Sequence, residues 1–318
     1  MAAEEGNGDI VRYIYRGQPR AEIPRHVTHV TVKDIKAVPA GSFAGHPNIQ
    51  EVVCHDGVLK IEQEAFYNCI SLRRVIMPGV KEVEREAFCS CWLLNYIEWP
   101  KLEIIHEWAF GGCSLSGIDL PSIIEIGHQA FDGCTNVTSV KLGEDLCSLY
   151  GIAAFCGCTS LERITLPLRD DMFGKRDIFQ ACGKLHRVDL IEGAILNETV
   201  AALPFDVWKN DMSNEIDSIN QILPNTPYGS TEYRDDGEKA QVIRRWISSV
   251  LRKIVQYKAE HRHIMDEAAA TLQFVLPQDI VRNNVLSFLE LPSYTFDGED
   301  DEEEEEDSDY DEEMEEEE

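Results

Sequence analysis

The chain has 318 residues, a formal net charge of −29 and ten cysteines, long enough for two ordinary domains or for one elongated array with an appendage. Its last 22 residues hold 18 of the 58 acidic side chains and no Lys or Arg, which leaves 40 acidic against 29 basic residues in the body, a charge of −11. A body of that sign offers no basic field to phosphates, so direct nucleic-acid binding is not expected, and no apolar run reaches the ~18 residues of a membrane-crossing helix.

Residues 1–26 read as an N-terminal cap. They begin Met1-Ala-Ala-Glu-Glu-Gly, without the basic-then-apolar order of a secretory signal. A cytoplasmic or nuclear location is therefore expected, with the cysteines as free thiols and the Asn136 and Asn197 sequons unmodified.

From residue 27 to 190 the sequence repeats itself, and a fixed period decides a fold before local propensities do. A phenylalanine returns at Phe43, Phe66, Phe88, Phe110, Phe131, Phe155 and Phe179, at spacings of 23, 22, 22, 21, 24 and 24 residues. Three residues after each comes His46 in the first copy, then Cys69, Cys91, Cys113, Cys134, Cys158 and Cys182. Beyond these runs a Leu-x-x-Val/Ile-x-Leu pattern, often closed by proline, as in Leu72-Arg-Arg-Val75-Ile-Met77-Pro78 and Leu161-Glu-Arg-Ile164-Thr-Leu166-Pro167. Alternation with period two predicts short strands centred on Val30, Val52, Val75, Ile97, Ile118, Val140, Ile164 and Val188. About eight such strands at one position of a 21–24 residue unit pair in parallel only if the chain coils into a solenoid. Proline after the strand ends the pairing, having no amide hydrogen to donate, and the return path carries residues such as Val80 and Val83 inward.

The run Ile126-Gly127-His-Gln-Ala130-Phe131-Asp-Gly-Cys134 and its copies resemble the BspA-type leucine-rich repeat. The likeness covers roughly residues 27–190 and departs from the pattern at Glu62, Glu84 and His106, where the family has glycine, and around residues 170–179. It implies an α/β leucine-rich-repeat solenoid. Members are best known as bacterial and protist surface or adhesion proteins; lacking a recognisable export signal, this chain is similar to the intracellular arrays of unicellular eukaryotes.

No linear catalytic motif is present, and the chain reads as non-enzymatic, without cofactor or metal. The pairs Cys89/Cys91 and Cys156/Cys158 are weighed as metal ligands, but they fall in different coils rather than at matched close spacing, so the cysteine column reads as small buried hydrophobes. His261 and His263 read as solvated helix surface. The outward strand positions form a continuous concave face. One column holds Arg74, Tyr96, Ser139, Arg163 and Arg187; the next holds Ile76, Glu98, Asp119, Lys141, Thr165 and Asp189. Arg and Tyr dominate interface hot spots, so Arg74, Tyr96, Glu98, Asp119, Lys141, Arg163, Arg187 and Asp189 are the expected contacts with a protein partner.

Residues 191–296 change to helical spacing. Ile243, Trp246, Ile247, Val250, Leu251, Ile254 and Tyr257 give one apolar helix face, expected to cap the open end of the array, while residues 210–237 with Pro224, Pro227 and Gly229 read as a loop. From Leu276 to Leu289 the sequence is similar to the opening of an F-box, which implies a ubiquitin-ligase substrate receptor, although that module normally precedes the repeats. Residues 297–318 form a polyanion expected to be disordered, with Ser308 in the acidic setting of a phosphorylation site. Its layout resembles that of acidic nuclear histone chaperones, which implies a basic protein, histone-like or ribosomal, as an alternative partner.

Overall fold

The structure is a computed structural model that describes residues 10–147, 149, 153–169, 178–191, 203–227 and 238–272. Each coil contributes one longer strand: β1 (Arg12–Tyr15), β2 (His29–Val32), β4 (Glu51–Cys54), β6 (Arg74–Ile76), β8 (Tyr96–Glu98), β10 (Gly117–Leu120), β12 (Ser139–Leu142), β13 (Arg163–Leu166) and β14 (Arg187–Leu190). All eight predicted positions are strands. The ninth, β1, lies inside the stretch read as a cap and extends the ladder by pairing in parallel with β2. The return path carries a second parallel ladder of two-residue strands, β3 (Ala37–Val38), β5 (Lys60–Ile61), β7 (Glu82–Val83), β9 (Ile104–Ile105) and β11 (Glu125–Ile126).

The long ladder is two sheets, β1-β2-β4-β6-β8 and β10-β12-β13-β14. One junction earlier the Met77 amide donates to the Glu98 carbonyl at 2.9 Å. At the break the equivalent carbonyl, that of Asp119, is taken by the indole N–H of Trp99 at 2.7 Å. The indole replaces a ladder amide, and Pro100 follows, with no amide hydrogen to continue the pairing.

Between the ladders the core is one continuous cluster. Phe43, Phe66, Phe88, Phe110 and Phe131 stack with centroids 4.9–5.4 Å apart and planes within 8° of parallel, closed at the N-terminal end by Tyr15 edge-on. Phe155 and Phe179 are 6.3 Å apart, wider than the rest, where the repeat is degenerate. The corner around each Phe from Phe43 to Phe155 carries two left-handed backbone positions, two residues before it and two after, as at Glu64 (φ 55) and Asn68 (φ 54). Such conformations are strained for non-glycine residues. They are held because the amides of Glu64, Phe66 and Asn68 donate to Arg85, Ala87 and Cys89 of the next coil, a pattern the corners of Phe43, Phe88 and Phe110 repeat. Gly112 fills such a position at φ 74, and a Cβ there would stand 2.8 Å from the Trp92 ring.

Two helices follow, α1 (Asp206–Ile222) and α2 (Glu238–Leu272). The expected loop over 210–237 is thus corrected: residues 210–222 are helical, with Met212 and Ile219 buried on one face. The prolines that suggested a loop come after that face. Ile243, Trp246, Ile247, Val250, Ile254 and Tyr257 of α2 are buried as the spacing predicts. The helices close the last coil through polar groups too. Asn220 Oδ1 accepts the Val188 amide at 2.9 Å on the edge strand β14, and Lys239, almost fully buried, donates to the carbonyls of Gly183 and Leu185. An edge strand whose donors are taken this way is protected from pairing with another chain.

Candidate functional site: the outward face of the long ladder

In-register pairing builds the two outward columns directly. The first runs Arg12, His29, Glu51, Arg74 and Tyr96 in one sheet and Gly117, Ser139, Arg163 and Arg187 in the other. The second runs Ile14, Thr31, Val53, Ile76 and Glu98, then Asp119, Lys141, Thr165 and Asp189. All eight expected contact residues therefore lie on one face, and the sequence alignment of columns matches the register.

The face has two characters. At its N-terminal half, outward Ile14, Val53 and Ile76 lie beside an aromatic–cation arrangement in which Arg74 Cζ sits 4.3 Å over the Tyr96 ring and Nε stands 3.5 Å from Glu51. Stacking and the ion pair hold the guanidinium in place, which reduces the ordering cost of using it in recognition. The C-terminal half is charged. Arg163 and Arg187 share the carboxylate of Asp189, Arg187 at 3.1 Å and Arg163 closer, whereas Lys141 is exposed and has no partner among the described residues. Glu98 and Asp119 lie between the halves, both exposed.

A pocket of about 760 Å³ opens where this face meets the helices, lined by Lys141, Arg163, Arg187 and Asp189 from the sheet and by Ile216, Asp217, Asn220 and Trp246 from α1 and α2. Sequence reasoning did not place Ile14, Glu51 or Val53 on the face, although Glu51 and Val53 occupy the same repeat positions as Arg74 and Ile76 and could have been found by extending the columns. The helical wall had no such signal, because the docking of a non-repeating cap on a repeat is not encoded in any period.

The cysteine column has its own chemistry. Each thiol donates to the carbonyl of the Phe one coil back: Cys69 to Phe43, Cys91 to Phe66, Cys113 to Phe88, Cys134 to Phe110, Cys158 to Phe131 and Cys182 to Phe155, at 3.1–3.4 Å. His46, in the first copy, places Nε2 3.2 Å from the Pro24 carbonyl of the cap, so it fills the same role with a longer reach. Burial raises the thiols of Cys69 and Cys134 to about 12 and drives Cys91, Cys113 and Cys158 upward as well. A thiol held protonated is neither a nucleophile nor a ready ligand. The Cys89/Cys91 pair is split accordingly, since Cys91 points to Phe66 while half-buried Cys89 lies 3.7 Å from Ser90 Oγ. Of the two histidines read as solvated, His263 is exposed and stands 3.4 Å from Glu267, but His261 is buried, because it falls on the apolar side of α2.

The segment from Leu276 to Leu289, Ser308 and the acidic tail lie outside the described residues. Among the described residues no helix is long and apolar enough to cross a membrane.

Comparison with known proteins follows the same lines. The family model described as "BspA type Leucine rich repeat region" matches in six copies over residues 36–110 and 81–199, just over half the chain. No curated protein matches. Among solved structures, the chain is similar to a leucine-rich repeat protein from Bacteroides ovatus (18% identity, 52% of this chain and 69% of that one, TM-score 0.32). It is also similar to the leucine-rich repeat protein of T. pallidum (21% identity, 62% and 85%, TM-score 0.35) and to the pneumococcal vaccine antigen PcpA (17% identity, 57% and 56%, TM-score 0.36). The narrower expectation of an intracellular eukaryotic type is not borne out, since the family match carries no such distinction. On the matched repeats and the parallel ladders they form, the chain belongs to the BspA-type leucine-rich-repeat family.

Proposed function

We propose that this chain is a non-enzymatic interaction scaffold that holds a protein partner on the outward face of the long ladder. The observation that carries the reading is the double column, which the described residues leave open except where the helices meet its C-terminal end. Nine strands in a row present Arg, Tyr and aliphatic side chains outward, the residue types that anchor interfaces when desolvated. Repeat arrays use such extended faces for binding because each coil adds a few contacts in register with the last.

Affinity purification with the full chain, compared with full chains carrying Arg74→Glu with Tyr96→Ala or Arg163→Glu with Arg187→Glu, tests it. Loss of the same partners in either variant supports the reading; unchanged partners overturn it. A second reading rests on the 18 acidic residues within 297–318: the tail attracts a basic protein. It expects partners that vanish when the tail acids are neutralised and when salt rises past the point where exposed charges are screened.

A further inference from the structure

We propose that the pocket between the long ladder and the helices is a binding site for an extended peptide in which an aromatic residue precedes acidic ones, and that its occupant is this chain's own segment Tyr294–Asp301. The inference rests on the reading of the long-ladder face as a binding surface and names what occupies its C-terminal end.

The pocket has a cationic floor and an apolar wall. Arg163 and Arg187 stand directly opposite each other on β13 and β14, and Lys141 lies one strand further along. Like charges opposite each other on neighbouring strands are unfavourable, and the one sheet carboxylate among them, Asp189, is shared by both guanidiniums. The floor therefore holds three cations against one carboxylate. Ile216 and Trp246 form the helical wall, with Asp217 beside them, and at about 760 Å³ the space is of the size that takes a peptide side chain with its flanking backbone. A carboxylate ligand relieves the cation repulsion while an aromatic ring fills the wall side.

The chain contains a segment with that order of groups. Tyr294-Thr-Phe296 is followed by Asp297-Gly-Glu299-Asp300-Asp301, two aromatic rings and then four acids in five residues. It also reaches. Trp246 lines the pocket, and Leu272, the end of α2, is 26 residues further, about 39 Å along the helix at ~1.5 Å per residue. The 21 residues from 273 to 293 span up to about 70 Å when extended, enough to return along the whole helix. Tethering makes the encounter intramolecular, with an effective concentration on the order of millimolar, so even a weak peptide occupies the site and competes with an outside partner.

The test titrates a fluorescein-labelled peptide of residues 292–303 by anisotropy into two full chains, the wild type and one carrying Tyr294→Ala, Phe296→Ala, Asp297→Asn and Glu299→Gln. The peptide is expected to bind the substituted chain about tenfold or more tightly than the wild type, whose site is filled in cis, and binding is expected to disappear on adding Lys141→Glu or Arg163→Glu with Arg187→Glu. Circular dichroism melting reports folding; should the arginine pair unfold the chain, Lys141, exposed and without a partner among the described residues, carries the decision alone. Equal binding to both chains, binding to neither, or binding that survives Lys141→Glu overturns the proposal. So does a wild type that sediments as a dimer while the substituted chain is a monomer, which assigns the pocket to a second copy. Partner capture that depends on Arg74 and Tyr96 is read at the other end of the face, so failure here leaves that reading standing.

Discussion

Cys91 donates its thiol hydrogen to the Phe66 carbonyl one coil back, 3.2 Å from sulfur to oxygen. Six cysteines repeat this contact, and it ties each coil to its predecessor inside the wall where no strand ladder runs. The arrangement predicts a sharp order of thiol reactivity. With a water-soluble disulfide reagent on the native protein, Cys147, which is exposed, reacts first, Cys89 and Cys156 follow slowly, and the buried column together with Cys54 reacts only on unfolding. Native-state labelling of Cys113 or Cys134, read by peptide mass mapping, contradicts it.

The same burial makes the fold sensitive to alkali. Cys54, Cys69 and Cys134 are raised to about 12 from an ordinary value of 9.0. Their raised folded values mean that the folded state keeps protons which the unfolded chain gives up. The stabilisation is complete below about pH 9 and is lost progressively as pH rises from 9 towards 12, at up to ~1.4 kcal/mol per pH unit for each such thiol. Urea midpoints measured at pH 7, 9 and 10.5 are expected to fall only above 9, and to fall less in Cys134→Val. A midpoint that is flat to pH 10.5 removes the argument.

Much of this fold was legible in the sequence, because every coil repeats the same solution. Phe131 and Cys134 could be placed in the core, and Arg163 and Arg187 on one outward column, from spacing alone. What spacing could not show is where the repeat interacts with something unlike itself. β1 escaped because Arg12–Tyr15 lacks the Phe and Cys of a complete coil, yet it pairs with β2 all the same. The pocket escaped because Asn220, Ile216 and Trp246 meet the ladder only through the docking of α1 and α2. The hydrogen-bonding role of the cysteines escaped as well, since a buried thiol and a small hydrophobe have the same pattern in sequence.

Two corner substitutions should act in opposite directions. Ser90 holds φ 62 where Gly45, Gly112, Gly133 and Gly157 stand in other coils, so Ser90→Gly relieves left-handed strain and is expected to be neutral or to stabilise by up to about 1 kcal/mol after the added unfolded-state entropy of glycine is counted. Phe110→Ala removes a ring stacked on both sides, 5.3 Å from Phe88 and 5.4 Å from Phe131, and is expected to cost about 3–5 kcal/mol. Urea denaturation of the two variants checks both signs.

Lys239 is a buried amine whose partners among the described residues are the carbonyls of Gly183 and Leu185 in the last coil, and desolvation lowers its affinity for a proton. Lys239→Met keeps the volume but leaves both carbonyls without that donor, which predicts a loss of about 1–3 kcal/mol. Hydrogen exchange should localise the loss to β14 and α1, with β2 and β4 unchanged. Uniform loosening along the array would show that the lysine is not a local latch.

The break between the two long sheets makes the last prediction. Trp99 supplies the Asp119 carbonyl with the hydrogen that a ladder amide supplies elsewhere, and its ring also meets Phe110 edge-on at 5.2 Å. Trp99→Phe keeps an aromatic ring there but removes the N–H, so the carbonyl loses its donor at an expected cost of about 1–3 kcal/mol. Because coils of a solenoid contact only their neighbours, the cost should fall on the junction rather than be shared. Amides of β8 and β10 are then expected to exchange faster, while those of β13 and β14 keep their protection. If the two sheets instead rejoin, with β8 pairing to β10 and Gly117–Leu120 becoming more protected in Trp99→Phe, the indole is a wedge that divides a ladder otherwise able to close, and the junction becomes the position where curvature of the binding face is set.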